Sequence, residues 1–437
     1  MGILVLTSVA ARRSNLPTRI RRGLAAALLW PVLAGALAVG AADDARAQAV
    51  RAAPAPPGQA LARLRRGFDQ PPDAETRYLP NEVILDIAAS VPTADLDAIA
   101  ARHNMTRLET QSFRLTGRTM HRWRLDGGGT VTAMIRGVSG ERQVSGAQPN
   151  YLYALTQDAP VAADANQYVP AKLNLLAAHR LATGNGILLA MIDSGVDASH
   201  PDLAGAIAAN FDAGSAEDKP DQHGTGMAGA IAARRTLVGT APRVRLLTVH
   251  AFGLRAEGAQ GTTFDIVKGL DWAAQRGARI VNMSFAGPAD PRLADALAKA
   301  KRQNIVLIAA AGNAGANSPP LYPAADSNVI AVTATDPADA LFPQANRGRH
   351  IAVAAPGVEV LVPAPDGAYQ FTTGTSVAAA EVSGVAALLI ERNAALTPND
   401  VRRILTGTAK HLGPPGRTRD FGAGLVDAAR AVGSASR

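Results

Sequence analysis

Short, continuous apolar runs recur six times beyond residue 185 and constrain the fold more than any other feature of this chain. They lack the alternation of apolar and polar residues that a strand with one solvent-exposed face shows. Continuous runs are typical of strands that are buried on both faces of a parallel sheet. The six predicted strands cover residues 187–193, 244–252, 278–285, 305–312, 329–336 and 350–357.

Helical patterns separate several of these runs, for example at residues 264–277. Strands that alternate with helices predict an α/β fold with a mainly parallel sheet. In such sheets, functional groups gather at the carboxyl ends of the strands. This rule directs attention to Asp193, Ser284 and Asn313, which lie at or near the ends of three predicted strands.

Residues 81–157 have a different pattern and predict a small α+β domain. Its element order, β-α-β-β-α-β, is that of a split βαβ or ferredoxin-like domain. Thr93 is a candidate cap for its first helix. The predicted strands cover 81–87, 107–115, 120–125 and 148–155, and the predicted helices cover 93–104 and 130–140.

The first 49 residues have the layout of a secretory signal. Arginines precede the apolar run 23–40, and alanines spaced two apart follow it within 45–49. Basic, apolar and then small residues are typical of such a signal. The apolar run is long for a signal, so a retained membrane anchor is the alternative, and the pair Arg21–Arg22 permits twin-arginine export.

Two segments without periodic patterning predict linkers, at residues 50–80 and 158–169. The first is rich in alanine, proline and arginine, which favours a flexible chain. The predicted order is therefore a signal at 1–49, the small domain at 81–157 and a large domain at 170–437.

Composition excludes several classes of protein. The net charge is +8, but residues 1–49 carry six basic and two acidic side chains, so half of the excess lies in the predicted signal. No basic stripe interleaved with aromatic residues is present, which argues against nucleic acid binding. The chain has no cysteine, which excludes disulfides, thiol catalysis and thiolate metal sites.

Four polar residues are candidates for chemistry, although each also has a simple structural interpretation. Asp193 ends an apolar run and is consistent with a carboxylate that binds its own turn, and His223 is consistent with a structural histidine. Asn313 lies between glycines, as turn residues do. Ser376 begins a long apolar helix, where serine is favoured as a cap.

Together the four residues favour catalysis by a serine nucleophile. That chemistry needs a base for the hydroxyl proton, a buried carboxylate that orients the base, and donors for the oxyanion. The chain supplies one of each, and the order Asp193, His223, Ser376 is one of the known orders for this geometry. A helix N-terminus at Ser376 also favours developing negative charge.

The motifs around these residues resemble those of the subtilases, the subtilisin-like serine peptidases. They occur in order and are "DSGVDASHPDL", "HGTGMAG", "NMSFAG", "AAAGNAG" and "GTSVAAAEVSGVAAL". The resemblance covers roughly residues 168–432 and implies a three-layer fold of the subtilisin type. It assigns Asp193 as the orienting acid, His223 as the general base and acid, Ser376 as the nucleophile and Asn313 as the oxyanion donor.

The resemblance also implies where a substrate binds. Residues 284–287 and 258–261 match segments that pair with an extended substrate as added strands, and residues 310–312 match a wall of the primary specificity pocket. The substrate-binding residues implied in this way are Ser284, Phe285, Ala286, Gly287, Gly261, Ala310, Ala311 and Gly312. Residues 80–157 resemble the inhibitory propeptide of the family, whose last strand lies in the active-site cleft before removal.

Several positions depart from the family pattern. Gly226 replaces a histidine that is not catalytic, Ala286 replaces glycine at the pocket edge, and Ala379–Ala380 replace a Ser/Thr–Pro pair. Residues 232–242, where subtilisin-like members often carry a calcium loop, are short, basic and without carboxylates. Because calcium prefers several oxygen ligands, no calcium site is expected there. No cofactor is predicted, and a weak calcium site elsewhere is left open because the sequence identifies no position for one.

The sequence therefore predicts an exported serine endopeptidase, secreted or periplasmic, that is made as an autoinhibited precursor. Its expected partners are protein or peptide substrates and its own propeptide as an intramolecular inhibitor. A monomer is expected, with membrane contact only through the signal segment. The alternative is a catalytically inactive binding protein on the same fold.

Overall fold

The structure is a computed structural model that describes residues 66–156, 161–162, 167–214, 219–255 and 258–435. The predicted signal at 1–49 lies outside the described residues, as do parts of both predicted linkers. Within the described ranges, no helix combines the length and the apolar character that crossing a membrane requires.

Residues 66–156 form an α+β unit, which we call the N-terminal subdomain. Its strands pair antiparallel in the order β2-β3-β1-β4. The elements follow the β-α-β-β-α-β order expected from the sequence. They are β1 (Tyr78–Ile87), α1 (Thr93–His103), β2 (Met105–Phe113), β3 (Arg118–Leu125), α2 (Val131–Val138) and β4 (Val144–Leu155).

The sheet of the N-terminal subdomain is apolar on both faces. Along β1, Val83 and Leu85 belong to a core with Trp123 and Ile135, whereas Ile84 belongs to a second core that includes Phe264 of the large domain. This division follows from the strand itself, since successive side chains point to opposite faces. One face is therefore covered by the subdomain's own helices and the other by the large domain.

Two local predictions differ from the structure. The N-cap of α1 is Pro92, which makes no side-chain cap bond, so Thr93 is the first helical residue and not the cap. The predicted linker at 50–80 is ordered at its end, because Phe68 is buried beside Ala147 and β1 begins at Tyr78. A single buried aromatic residue in a stretch without periodicity leaves no strand or helix signal in the sequence.

The large domain consists of a longer series of strands and helices. Its strands, in chain order, are β5 (Val161–Ala162), β6 (Leu188–Asp193), β7 (Ile207–Asp212), β8 (Arg245–His250), β9 (Gly253–Arg255), β10 (Gly258–Thr262), β11 (Ile280–Met283), β12 (Phe285–Ala286), β13 (Val306–Ala310), β14 (Ile330–Thr335), β15 (Ile351–Pro356), β16 (Val360–Ala364) and β17 (Ala368–Thr372). Its helices are α3 (Val169–Lys172), α4 (Leu175–Ala178), α5 (Gln222–Ala232), α6 (Thr263–Gln275), α7 (Pro291–Arg302), α8 (Thr375–Arg392), α9 (Pro398–Thr408) and α10 (Ala428–Ser434).

A parallel sheet in the order β15-β14-β13-β11-β6-β8-β7 forms the centre of this domain. It contains all six strands that the continuous apolar runs predict. The edge strand β7 was not predicted, because its sequence "IAANFD" lacks such a run. The α/β prediction is confirmed.

Helices cover both faces of the parallel sheet. Helices α5 and α8 pack against each other on one face, and α6 and α7 lie on the other. The apolar residues divide into a separate core on each face. At the carboxyl ends of the strands, Asp193 ends β6 and residues 311–313 follow β13.

Candidate active site

Asp193 and His223 form a buried pair at the carboxyl end of β6. The Oδ1 atom of Asp193 lies 2.5 Å from Nδ1 of His223, and the two side chains are almost completely shielded from solvent. The same oxygen accepts the backbone N–H of Ser194 at 2.8 Å. Oδ1 thus makes the contacts that fix the orientation of the imidazole, whereas the buried Oδ2 has no hydrogen-bond partner among the described residues.

The first turn of α5 holds His223 against the strand. Asp221 caps this helix by accepting the backbone N–H of His223 at 2.8 Å, and the Ser194 hydroxyl donates to Asp221 at 2.8 Å. Gly224 is needed at the crossing, because a Cβ there would lie 2.5 Å from the carbonyl oxygen of Ser194. The glycine after His223 thus lets the helix approach closely, as the sequence predicts.

Ser376 is the second residue of α8, and the cap of that helix is Gly374, which makes no side-chain cap bond. The interpretation of Ser376 as a helix cap is therefore wrong. Its position does place the serine hydroxyl in the first turn, where backbone N–H groups lack helical partners. The side chain is fully buried.

Asn313 lies in the loop after β13 and faces the start of α8. Its Oδ1 atom accepts the backbone N–H of Thr375 at 3.1 Å and the hydroxyl of Thr375 at 2.8 Å. These contacts fix the amide so that Nδ2 faces away from Thr375. Among the described residues, the buried Nδ2 atom has no hydrogen-bond partner, and neither has Nε2 of His223.

A chain of hydrogen bonds supports the backbone at Ser376 from below. Ser383 donates to Asn282 at 2.9 Å, Asn282 donates to the Ser284 hydroxyl at 2.9 Å, and that hydroxyl donates to the Ser376 carbonyl at 3.0 Å. All of these side chains are buried. The motifs implied only substrate binding for Ser284, and the supporting roles of Asn282, Ser383 and Thr375 were not predicted.

The last part of β4 lies between two strands of the large domain. On one side, Tyr153 pairs with Gly261 of β10, and on the other, Ala154 pairs with Ala286 of β12. Leu155 pairs with Phe285, so backbone pairing continues toward Ser284. The two segments whose sequences imply substrate binding therefore hold β4 between them.

Thr156, directly after β4, lies against the serine hydroxyl. Ser376 Oγ is 2.5 Å from the carbonyl oxygen of Thr156, 2.6 Å from the Thr156 hydroxyl and 3.0 Å from the carbonyl oxygen of Ser284. The N–H of Thr156 also donates to the Ser284 carbonyl at 3.4 Å. Within the described residues, no hydrogen bond joins Ser376 to His223, because the hydroxyl is engaged by Thr156 and Ser284.

The remaining predicted site residues lie nearby. Ala310 ends β13, and Ala311 and Gly312 lead from it to Asn313. Both alanines are fully buried. Gly312 has φ of +105° and would bring a Cβ within 3.0 Å of Asn346 and Leu321. The assignment of these three residues to a pocket wall stays a prediction.

The loop after α5 packs around the buried side chain of Asp202. The Oδ1 atom of Asp202 accepts three backbone N–H groups, from Arg235, Thr236 and Leu237, and its Oδ2 atom accepts the Tyr369 hydroxyl. A carboxylate that is surrounded by donors has little capacity left for a cation. In the part of the chain that the structure describes, no group of three or more histidine or carboxylate side chains is arranged to hold a metal.

Comparison with known proteins agrees with this arrangement. Residues 184–424 match the Subtilase family, Peptidase S8. The chain is 34% identical to thermitase from Thermoactinomyces vulgaris over 274 residues, which cover 61% of this chain and 95% of thermitase. It is 35% identical to subtilisin DY from Bacillus licheniformis over 273 residues, which cover 60% of this chain and 97% of that protein.

A solved structure matches over a longer part of the chain. Fervidolysin from Fervidobacterium pennivorans, described as a keratinolytic enzyme related to subtilisin, superposes with a TM-score of 0.71 at 24% identity. The superposition covers 83% of this chain and 62% of fervidolysin. At this identity the likeness shows the fold.

The fold and the family match define a subtilisin-like serine endopeptidase. The chain belongs to the subtilase family. The alternative of an inactive binding protein is not favoured, because these relatives are named proteases and the buried Asp193–His223 pair is intact.

Proposed function

We propose that this peptidase is made as an autoinhibited precursor that cleaves itself between Thr156 and Gln157. The observation that carries the proposal is the position of β4, which lies between β10 and β12 and delivers the Thr156 carbonyl to the Ser376 hydroxyl. An extended peptide that adds a strand on both sides is a standard mode of recognition. The N-terminal subdomain then occupies the site that a substrate needs.

In the proposed reaction, Ser376 Oγ attacks the carbonyl carbon and its proton passes to Nε2 of His223. In the precursor the hydroxyl must first turn from the Thr156 oxygen toward that nitrogen. Asp193 stabilises the imidazolium through its 2.5 Å contact with Nδ1. The imidazolium then protonates the leaving amine, which departs as the new N-terminus.

The oxyanion is bound by donors that already stand in place. Nδ2 of Asn313 is buried without a partner among the described residues, and its amide is locked by Thr375. The backbone N–H of Ser376 lies in the first turn of α8 and supplies the second donor. Such preorganised donors need no rearrangement when the charge develops. Water then hydrolyses the acyl-enzyme by the same steps.

We further propose that the enzyme acts outside the cytoplasm. The support is the basic, apolar and small-residue layout of residues 1–49, which lie outside the described residues. Asp202 and its N–H donors support the proposal that the loop at 232–242 works without calcium.

Labelling with a serine-directed fluorophosphonate tests the proposed nucleophile. The processed protein should carry the label on Ser376, as mapped by peptide mass spectrometry. A processed, folded protein that is labelled elsewhere or not at all would contradict the assignment.

A further inference from the structure

The side chain of Tyr153 occupies a closed pocket in the large domain. Tyr153 lies three residues before Thr156 and is fully buried. Its ring meets Phe285 edge to face, with ring centroids 5.8 Å apart at 78°, and Phe285 in turn contacts Phe252 at 4.9 Å. Edge-to-face packing of this kind favours an aromatic side chain over an aliphatic one.

Gly287 and Gly261 make room for this ring. A Cβ on Gly287 would lie 2.3 Å from Cδ1 of Tyr153, so only glycine fits while the ring is present. Gly261 pairs with Tyr153 on the other side, and a Cβ there would lie 2.7 Å from the Ala251 carbonyl oxygen. The pocket is thus walled by backbone and aromatic rings.

Two oxygens lie at the far end of the pocket. The Tyr153 hydroxyl is 3.3 Å from Oδ2 of Asp290 and 3.4 Å from the carbonyl oxygen of Pro288. Both are acceptors, so the hydroxyl must be the donor. Burial and the neighbouring Asp290 carboxylate raise the pKa of Tyr153 well above its ordinary value, which keeps the proton on the hydroxyl.

Asp290 is held in place by the large domain itself. Its Oδ1 caps α7 by accepting the backbone N–H groups of Arg292 and Leu293, at 2.8 and 3.0 Å, and its Oδ2 accepts the Thr263 hydroxyl at 2.5 Å. Gln148 of the N-terminal subdomain also donates to Oδ1 at 3.1 Å, and with the subdomain in place only 4% of Asp290 is exposed, whereas the α7 and Thr263 contacts are internal to the large domain. These contacts remain after the N-terminal subdomain leaves, so the acceptor stays aimed into the pocket.

We infer that Asp290 makes the peptidase selective for tyrosine, in preference to phenylalanine, at the fourth residue before the cleaved bond. The inference rests on the proposed function, in which Thr156 precedes that bond and Tyr153 therefore occupies the fourth position. Phenylalanine fills the same aromatic pocket but leaves Oδ2 of Asp290 and the Pro288 carbonyl without the hydroxyl. A lost hydrogen bond to a charged group lowers kcat/KM on the order of 10- to 100-fold.

Two peptides test the inference with the processed wild-type enzyme. One carries the chain's own sequence Tyr-Ala-Leu-Thr-Gln, and the other carries phenylalanine in place of its tyrosine. The expected ratio of kcat/KM is on the order of 10 or more in favour of tyrosine. Equal cleavage of both peptides after the threonine overturns the inference and leaves the proposed function standing, whereas cleavage of neither peptide by an active enzyme overturns both.

The variant Asp290→Asn tests whether Asp290 is the residue that recognises the tyrosine hydroxyl of the substrate. Asparagine keeps the ability to cap α7 but removes the charged acceptor. The ratio of kcat/KM between the tyrosine and phenylalanine peptides should shrink by several-fold. Asp295→Asn on the same helix is the matched control and should keep the full preference; an undiminished preference in Asp290→Asn overturns the role of Asp290.

The full-length precursor gives a second test that does not depend on refolding Asp290 variants. Tyr153→Phe should slow the first self-cleavage by about tenfold. Tyr151→Phe makes the same change two residues earlier in β4, outside the pocket, and should cleave at the wild-type rate. Equal rates for the two variants would overturn the inference.

Discussion

The N-terminal subdomain meets the peptidase domain at two places that differ in chemistry. In the cleft, β4 is held by backbone pairing with β10 and β12. On the face formed by α6 and α7, apolar packing around Phe264 is accompanied by ion pairs between charged side chains. There Arg292, of which only 7% of the side chain is exposed, lies 2.5 Å from Asp69 and 3.0 Å from Asp86, and Lys268 lies 2.7 Å from Glu109.

The two contacts have different consequences, because the contact in the cleft exposes β4 to cleavage whereas the contact on the α6–α7 face retains the subdomain. Backbone pairing accepts any extended strand, so the cleft that binds β4 also suits a substrate. The charged contacts recognise side chains of this subdomain alone, and they lie away from Ser376. Cleavage after Thr156 is therefore expected to leave the subdomain bound through the helix face until it dissociates.

The largest effect is expected when the proposed nucleophile in the cleft is removed. Ser376→Ala should abolish peptide hydrolysis and leave the precursor at its uncut length, because the proposed nucleophile is absent. Denaturing electrophoresis and intact mass of the purified precursor measure this. A processed product from the variant, expressed alone, would contradict self-cleavage.

Removing the proposed oxyanion donor should have the next largest effect. Asn313→Ala should lower kcat by roughly 10²–10³-fold, the loss found when one such donor is removed from a subtilisin, with little change in KM. Steady-state kinetics on a peptide substrate measure the two constants. An unchanged kcat would exclude Asn313 from the oxyanion site.

Arg292→Met is expected to weaken the contact between the N-terminal subdomain and the face formed by α6 and α7. Among the described residues, the change leaves the buried Asp86 with the half-exposed Arg118, at 3.0 Å, as its one cationic partner. Loss of one partner of a buried pair costs roughly 3–5 kcal/mol, and we expect the lower end of this range because Arg118 remains beside Asp86, so the cut subdomain should bind about 10²-fold more weakly. The dissociation constant of the two fragments after self-cleavage measures this.

Arg118→Met is the matched control for that change, since its side chain is 46% exposed. A half-exposed ion pair contributes little, so this variant should bind the cut subdomain nearly as tightly as the wild type. Equal weakening by both substitutions, or by neither, would contradict the importance of the buried contact.

A smaller effect is expected on the pH dependence of stability, through a buried carboxyl group in α8. Burial raises the pKa of Glu381 in α8 from 4.5 to about 8, and Thr240 donates a hydrogen bond to the carboxyl group. Between pH 4.5 and about pH 8, the carboxyl group is therefore protonated in the folded protein and ionised in the unfolded chain. The resulting stabilisation is complete below pH 4.5 and is lost as the pH rises toward 8.

Glu381→Gln should reduce this pH dependence, because glutamine stays neutral and can still accept from Thr240. Thermal unfolding of the Ser376→Ala precursor, with and without the change, should show a smaller fall in Tm between pH 5 and 8 in the glutamine variant. The difference is expected to be roughly a few degrees. An identical fall in both proteins would contradict the prediction.

The smallest expected effect is that of a chelator. The donors around Asp202 fill the place where a calcium loop is often found, so EDTA should leave Tm unchanged within about one degree. Differential scanning calorimetry of the Ser376→Ala precursor, with and without added calcium, measures this. A clear fall in Tm on chelation, restored by calcium, would contradict the proposal.

Much of the large domain could be predicted because its signals are local. The apolar runs at 187–193 and 305–312 each require a buried strand, and the residues that end them lie at the edge where the site forms. The pairing of Asp193 with His223 follows from the family motifs. Contacts within one strand or one turn leave a recognisable pattern in the sequence.

The missed features depend on distant parts of the chain. Thr156 lies against Ser376 because β4 enters a cleft, and the residues that form this cleft come more than a hundred positions later in the chain. Arg292 and Asp86 are ordinary charged residues in the sequence, and their burial follows from the docking of two folded units. Ser376 was open to the cap interpretation because a serine at a helix start fits either role.

The N-terminus of the processed enzyme tests the account most directly. Wild-type precursor should yield a mature chain that begins at Gln157, together with a fragment that ends at Thr156, as read by N-terminal sequencing and intact mass. A mature chain that begins at any residue other than Gln157, with no fragment that ends at Thr156, would contradict the account, because the Thr156 carbonyl would then not be the group that Ser376 attacks.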